Sequence, residues 1–207
     1  MNSLDSECRL LECLHEPDRK QRDQKKQFTG QLGKVLTSRL QRLVISRMPS
    51  EITTERLARH PEALPVLATW FESEWPDWYG PGGPGNAEED LLAYANEGDL
   101  PMGIAAFQNG LLCGVAALKA VSIPSHLHLS PWAAAGFVIP SLRGQGIGAA
   151  LLTALESEAR ALGYSHLYCG TATAASLLLR LRWHLIEFVE REGQKIGLYG
   201  KALCDLP

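Results

Sequence analysis

The feature that most constrains this chain is the run Phe137-Val138-Ile139-Pro140-Ser141-Leu142-Arg143-Gly144-Gln145-Gly146-Ile147-Gly148. Trp132 to Ile139 is apolar and closed by Pro140, which reads as a buried strand. After the glycines, Ile147, Leu151, Leu155, Ala159 and Leu162 recur at helical spacing, and Gly163 stands where a terminating C′ glycine belongs. Strand, glycine turn and helix follow one another directly, so the chain must build at least one crossover onto a sheet. The first turn of such a helix leaves about four backbone N–H groups unpaired and carries roughly half a positive charge. Gly144, Gly146 and Gly148 keep side chains clear of those donors, so a diphosphate can come close. Arg143 can add a charge-assisted contact.

Two other phosphate-binding patterns fail on the residues. A dinucleotide fingerprint needs the order Gly-x-Gly-x-x-Gly, which Gly144, Gly146 and Gly148 do not give. It also needs a carboxylate near the end of the next strand, and His166-Leu167-Tyr168-Cys169-Gly170-Thr171 offers none. A nucleotide-hydrolase loop needs Gly-Lys-Ser or Gly-Lys-Thr, and neither occurs.

The rest of the chain supplies a mixed sheet. Arg47 to Ile52 reads as a short first strand. Pro61 opens a helix through Leu64, Leu67, Ala68 and Phe71 that ends near Trp75-Pro76. Gly80 to Gly85 is a mobile loop by composition. Asn86 caps a second helix with Glu88, Glu89 and Asp90 in its first turn, which suits the helix dipole. Met102 to Gln108 and Leu111 to Lys119 form a hairpin on Asn109-Gly110, since both turn residues tolerate positive φ. Ser122 to Ser130 is a polar loop. His166 to Thr171 is a strand, Ala174 to Leu181 a short helix, and His184 to Arg191 with Lys195 to Leu203 a final hairpin around Glu192-Gly193. Antiparallel hairpins flanking one strand–helix–strand unit predict an α/β (α+β) fold with a mixed sheet.

At the glycine turn the chain resembles the GNAT superfamily of N-acetyltransferases. The family signature is Arg or Gln, two residues, Gly, one residue, then Gly or Ala, after a strand ending in Val-x-Pro. Arg143, Gly146 and Gly148 fill it, and Val138-Ile139-Pro140 supplies the lead-in. The order of elements agrees from about Arg47 to Leu203. The resemblance implies a mostly antiparallel twisted sheet flanked by helices and splayed between its fourth and fifth strands. Acetyl-CoA would lie in that wedge as cosubstrate. Its pantetheine arm would pair with the backbone of Phe137 and Val138, next to Ile139, and its pyrophosphate would rest on Arg143, Gly144, Gln145, Gly146, Ile147 and Gly148. A backbone N–H of the same strand would polarise the thioester carbonyl. The implied reaction is direct transfer of an acetyl group to a primary amine in a ternary complex.

The chain departs from the family at its general acid. The usual tyrosine belongs to a Tyr-x-x-x-Gly-Phe or Tyr-x-x-x-Gly-Trp pattern after the fifth strand. Here Leu178 takes its place and Arg182 that of the glycine, while Trp183 is kept. Water, Tyr168 or Tyr199 can stand in, with Tyr168 the candidate catalytic residue. The alternative is a catalytically weakened acetyl-CoA-binding sensor or interaction protein. The fourth strand offers no carboxylate base. Acceptor-side candidates are Glu72, Glu74, Asp77, His126 and His128, with Glu74 the one assigned, against the simpler reading of a solvated surface acid. Trp70, Trp75, Trp78 and Tyr79 stand beside these acids, where they either line an amine site or fill the core.

Composition bounds the remainder. With 45% hydrophobic and 21% charged residues the chain is of ordinary globular type. No stretch reaches the roughly 20 apolar residues of a membrane span, and no signal-peptide order opens it, so a cytoplasmic protein is expected. Cys8, Cys13, Cys113, Cys169 and Cys204 make no metal-ligand spacing with the histidines, so no metal is expected. The net charge of −3 is unevenly spread: residues 1–47 are basic, the remainder acidic. Residues 1–46 read as a basic extension, helical or partly disordered, and 47–207 as the acetyltransferase domain. The extension holds one aromatic residue, Phe28, so a plain arm is favoured over a nucleic-acid-binding one. The acidic remainder either attracts a cationic acceptor or serves solubility. The expected acceptor is an amine-bearing small molecule, peptide or protein; a homodimer is a family-based expectation.

Overall fold

The structure, a computed structural model, describes residues 51–203 apart from residue 192. Contacts divide the chain between Pro49 and Ser50, and the description concerns the second unit. The expectations for residues 1–46 lie outside the described residues.

The elements run β1 (Ile52–Arg56), α1 (Leu64–Glu74), α2 (Pro76–Tyr79), α3 (Ala87–Tyr94), β2 (Met102–Gln108), β3 (Leu111–Lys119), β4 (Trp132–Val138), α4 (Ile147–Ala161), β5 (His166–Thr171), α5 (Ala175–Arg180), β6 (His184–Arg191) and β7 (Gln194–Ala202). Residues 47–50 of the expected first strand lie outside the described residues; among those described, β1 begins at Ile52 and runs on to Arg56. Its residues Ile-Thr-Thr-Glu-Arg alternate half-buried and exposed, and they pair along their length with β2. Two β-branched threonines suit such an edge. A single apolar side chain leaves no period-two signal.

Several local signals act as expected. Asn86 accepts from the N–H groups of Glu88 and Glu89 at 3.0 and 3.2 Å and caps α3. Asn109 and Gly110 have φ of 52° and 78°, as a type I′ turn requires. At the end of α4, Gly163 (φ 85°) donates to Arg160 and Tyr164 to Ala159, closing a Schellman motif. Leu162, the last member of the periodic stripe, is 37% exposed, because it falls on this cap rather than on the buried face.

The seven strands form one sheet in the order β1-β2-β3-β4-β5-β7-β6. Every neighbouring pair is antiparallel except β4 and β5. One face is covered by α4 and α5 through Ile147, Leu151, Leu155, Ala159 and Leu178. The other is covered by α1 and α3 through Leu67, Phe71, Leu91 and Tyr94. Each such fully buried aliphatic side chain contributes about 1.5–3 kcal/mol.

Helix α4 also buries a carboxylate. Glu156, 4% exposed, accepts both oxygens' worth of contact from Lys201 Nζ at 2.7 Å and a hydrogen bond from Trp183 Nε1 at 3.1 Å. Its charge is matched and its lone pairs are used, so the helix can carry it inward. The contact ties α4 to β7 and to the segment after α5.

The parallel pair positions the site. β4 and β5 share a single register pair, Trp132 with Tyr168, supported by the Tyr168 N–H donating to Pro131 at 3.0 Å. Beyond that apex the two strands part. The burial pattern of β4 records the opening: Trp132 and Ala133 are buried, whereas Gly136 is exposed despite lying in an apolar run. The sheet is therefore splayed between its fourth and fifth strands.

Candidate active site

The open wedge leads to the glycine turn. A short 3-10 turn, Pro140–Leu142, carries the chain from β4 to Arg143, and α4 starts at Ile147. Gly144 and Gly146 have φ of 80° and 94°, a left-handed backbone that suits glycine. A Cβ at Gly144 would meet nothing within 4 Å, and one at Gly146 only Ile52 Cδ1 at 3.8 Å. Gly146 is the N-cap of α4, with no side chain capping the helix and no acidic residue in its first turn. The leading amides of a 15-residue helix are thus left to an external acceptor, at the mouth of the wedge.

Gly148 has a different task. A Cβ there would lie 3.1 Å from Leu177 Cδ2, so this glycine lets α4 and α5 pack closely. Ile147 is 1% exposed and packs in the core, leaving its backbone to the turn. The Gln145 side chain turns back and accepts from Gln108 Nε2 at 3.1 Å. Gln108 is one of two buried polar residues among those described, at the end of β2. It anchors the turn from beneath, a role that no local sequence signal marks.

Along β4, the Ile139 N–H donates to the Cys113 carbonyl at 3.1 Å. Antiparallel alternation then places Phe137 opposite Val115 in a hydrogen-bonded pair and turns the backbone groups of Val138 away from β3. Of the strand residues expected to meet a pantetheine arm, Val138 is the one whose peptide groups face the wedge. Phe137 sends its ring to the α1 side, 5.3 Å from the Trp70 ring and 6.4 Å from that of Trp75. The β3–β4 register slips between Val115 and Ala117, giving β4 one extra residue, and Ala135 there has φ of 50°. A non-glycine residue in that conformation costs about 1–2 kcal/mol. The bulge re-aims the strand's backbone at the wedge, and three successive alanines give no warning of it.

Arg143 and Glu74, read from the sequence as a phosphate ligand and a base, are brought together. Arg143 Nη2 donates to both Glu74 oxygens at 2.9 Å, while its Nε donates to the Val138 carbonyl at 2.9 Å. The guanidinium lies 5.7 Å from the centre of the Phe137 ring.

The other candidates separate. Tyr168 is at the wedge apex, its ring 5.8 Å from that of Trp132. Tyr199 is 5% exposed and closes over Gly197. Leu178 is fully buried beneath α4, so the family's tyrosine position is filled by core. Arg182, in the glycine position, has φ of 62°, the conformation that glycine would adopt without strain. His126 Nε2 contacts Glu187 of β6 at 3.0 Å, away from the glycine turn, and Glu72 and Asp77 are exposed. Tyr79 donates to Asp90 at 2.6 Å, and burial with that contact pushes its pKa well up. Burial also pushes the Cys169 thiol up to about 12 and raises that of Cys113.

Fold and glycine turn together define a mixed sheet opened between β4 and β5, and the comparisons place that architecture in a family. The acetyltransferase (GNAT) family model matches residues 67–179, more than half of the chain, and the protein belongs to that family. No curated protein matches the sequence. Among solved structures, an aminoglycoside 6′-N-acetyltransferase complexed with coenzyme A is 14% identical with a TM-score of 0.61, covering 75% of this chain and 99% of its own. The aminoglycoside 6′-N-acetyltransferase from Enterococcus faecium is 15% identical with a TM-score of 0.60, covering 76% and 99%. A Salmonella typhimurium structure determined with its cofactor acetyl-CoA is 16% identical with a TM-score of 0.59, covering 75% and 95%. At these identities the likeness establishes the shared fold.

Proposed function

We propose that the protein is an N-acetyltransferase that binds acetyl-CoA in the β4–β5 wedge and transfers its acetyl group directly to a primary amine. One observation carries the reading. The uncapped, acid-free start of α4 opens at the mouth of a wedge whose β4 wall turns the peptide groups of Val138 away from β3. In this reading the amides from Gly144 to Gly148, with the Arg143 side chain, hold the pyrophosphate, and Val138, flanked by Phe137 and Ile139, pairs with the pantetheine arm. A β4 amide at the Ala135 bulge polarises the thioester carbonyl, a contribution of about 3–4 kcal/mol when well aimed.

The acceptor must attack as a neutral amine. Glu74, on the α1 side of the wedge, is the carboxylate proposed to take its proton, a step that typically contributes about 10²–10⁴-fold. The departing thiolate takes a proton from Tyr168 or from water; with a thiol pKa near about 8.5 it leaves tolerably even without help. Burial keeps Cys169 and Cys113 as thiols at neutral pH, which supports direct transfer over an acetyl-cysteine intermediate. The reading predicts free thiol release from acetyl-CoA in the presence of an accepted amine.

The buried Leu178 supports a second reading, a cofactor-binding sensor that lacks the acid. Thiol release across a panel of small amines, peptides and protein amino termini separates the two. Binding of acetyl-CoA without release for any amine would support the sensor.

A further inference from the structure

We infer that Glu74 is the competitor of the cofactor's diphosphate for Arg143, so that cofactor binding and exposure of the acceptor-side carboxylate are one coupled exchange. The inference rests on the proposed acetyl-CoA reading and concerns how that site is regulated. Arg143 is the first residue of the glycine turn and its only cation. Its fork nonetheless points along β4 rather than over the helix start. Nη2 meets both oxygens of Glu74 at the end of α1, and Nε meets the carbonyl of Val138. These contacts use the same group that phosphate recognition would use, and the same wedge-facing carbonyl that a pantetheine amide would use. Turning the Nε–Nη2 edge of its fork to a diphosphate requires Arg143 to give up both the Glu74 carboxylate and the Val138 carbonyl.

The pair is suited to exchange. The side chains of Arg143 and Glu74 are 49% and 35% exposed, so water screens their attraction and little desolvation attends their parting. Phosphate carries more charge than carboxylate and lies on the helix dipole, so it outbids Glu74 once placed. Glu74 is then left without its cation on the side of β4 lined by Phe137, Trp70 and Trp75. A carboxylate beside aromatic faces attracts an ammonium group. The Arg143–Glu74 pair is therefore neutral while clasped, and Glu74 is left negative once Arg143 is drawn away.

The test is a calorimetric cycle with coenzyme A as the probe. Wild type, Glu74→Gln, Arg143→Gln and the double variant are titrated, and their folds are checked by circular dichroism. Glu74→Gln is expected to tighten binding by about 2–5-fold, the range of an exposed ion pair released. Arg143→Gln is expected to weaken it, and adding Glu74→Gln on that background should change nothing further. Unchanged or weaker binding by Glu74→Gln overturns the exchange. Equal tightening in both backgrounds also overturns it, because that would be general charge repulsion. Failure of folded wild type to bind coenzyme A would instead remove the acetyl-CoA reading itself, and the exchange with it.

Discussion

Substitutions at Gly146 separate the electrostatic role of the turn from its backbone role. Gly146 has φ of 94° and caps α4, and a Cβ would find its nearest neighbour, Ile52 Cδ1, at 3.8 Å. Gly146→Ala therefore meets no clash; left-handed strain of about 1–2 kcal/mol less an unfolded-chain term of about 0.4–1 kcal/mol leaves a net loss near 0.5–1 kcal/mol. For a domain of this size that lowers Tm by about 1–4 °C. The amides of the turn stay open, so coenzyme A affinity should fall by less than about 3-fold. Gly146→Asp adds the same strain and a negative charge beside the proposed phosphate site, for which a separation of about 6 Å is taken. With an effective dielectric constant between about 20 and 80, that repulsion is worth about 0.7–3 kcal/mol, or about 3–100-fold in affinity. The new carboxylate also competes for the helix amides as a capping group. Isothermal titration of both variants with coenzyme A gives the comparison directly. Equal affinities for the Ala and Asp variants, both folded, would refute the placement of phosphate on this turn.

Other perturbations test the frame. Glu156→Leu leaves Lys201 and the Trp183 N–H without their partner and should cost about 3–5 kcal/mol in urea unfolding. Adding Lys201→Met should recover part of the loss, and a single variant within about 0.5 kcal/mol of wild type would contradict the network's role. Arg182→Gly relieves a φ of 62°; strain of about 1–2 kcal/mol less an unfolded-chain term of about 0.4–1 kcal/mol predicts a net gain near 0.5–1 kcal/mol. A lower Tm would contradict it. At His60, burial lowers the pKa, but contacts with Glu62 at 3.0 Å and Glu55 at 3.1 Å outweigh it and raise the pKa above 6.5. The resulting stabilisation is full below that ordinary value and is lost as pH rises through the raised one. The stability difference between wild type and His60→Gln should therefore shrink on going from about pH 6 to about pH 8; a difference that grows would reverse the sign.

Local chemistry made much of the fold legible. The Asn109-Gly110 turn, the Asn86 cap, the Gly163 terminus and the strand–glycine–helix unit each depend on residues a few positions apart, and each forms as read. The splay was carried by family resemblance, since no period in β4 marks where its partner leaves. What escaped the sequence depends on distant partners. Glu156 looks like a surface acid until Trp183 and Lys201, 27 and 45 residues away, are brought to it. Arg143 and Glu74 are 69 residues apart, so no spacing announces that they pair. Gly148 reads as room for phosphate until Leu177 is seen against it. The run of β1 past Ile52 goes unannounced because Ile52 is its single apolar residue, and the Ala135 bulge is silent because neighbouring alanines carry no pattern.

The central claim, that backbone amides at the start of α4 receive the diphosphate of coenzyme A, is open to amide-resolved NMR. Titrating isotopically labelled protein with coenzyme A should move the resonances of residues 143–149 and Val138 most, saturating with one equivalent. Saturable shifts confined to other surfaces, or no shifts in well-dispersed spectra, would contradict the account.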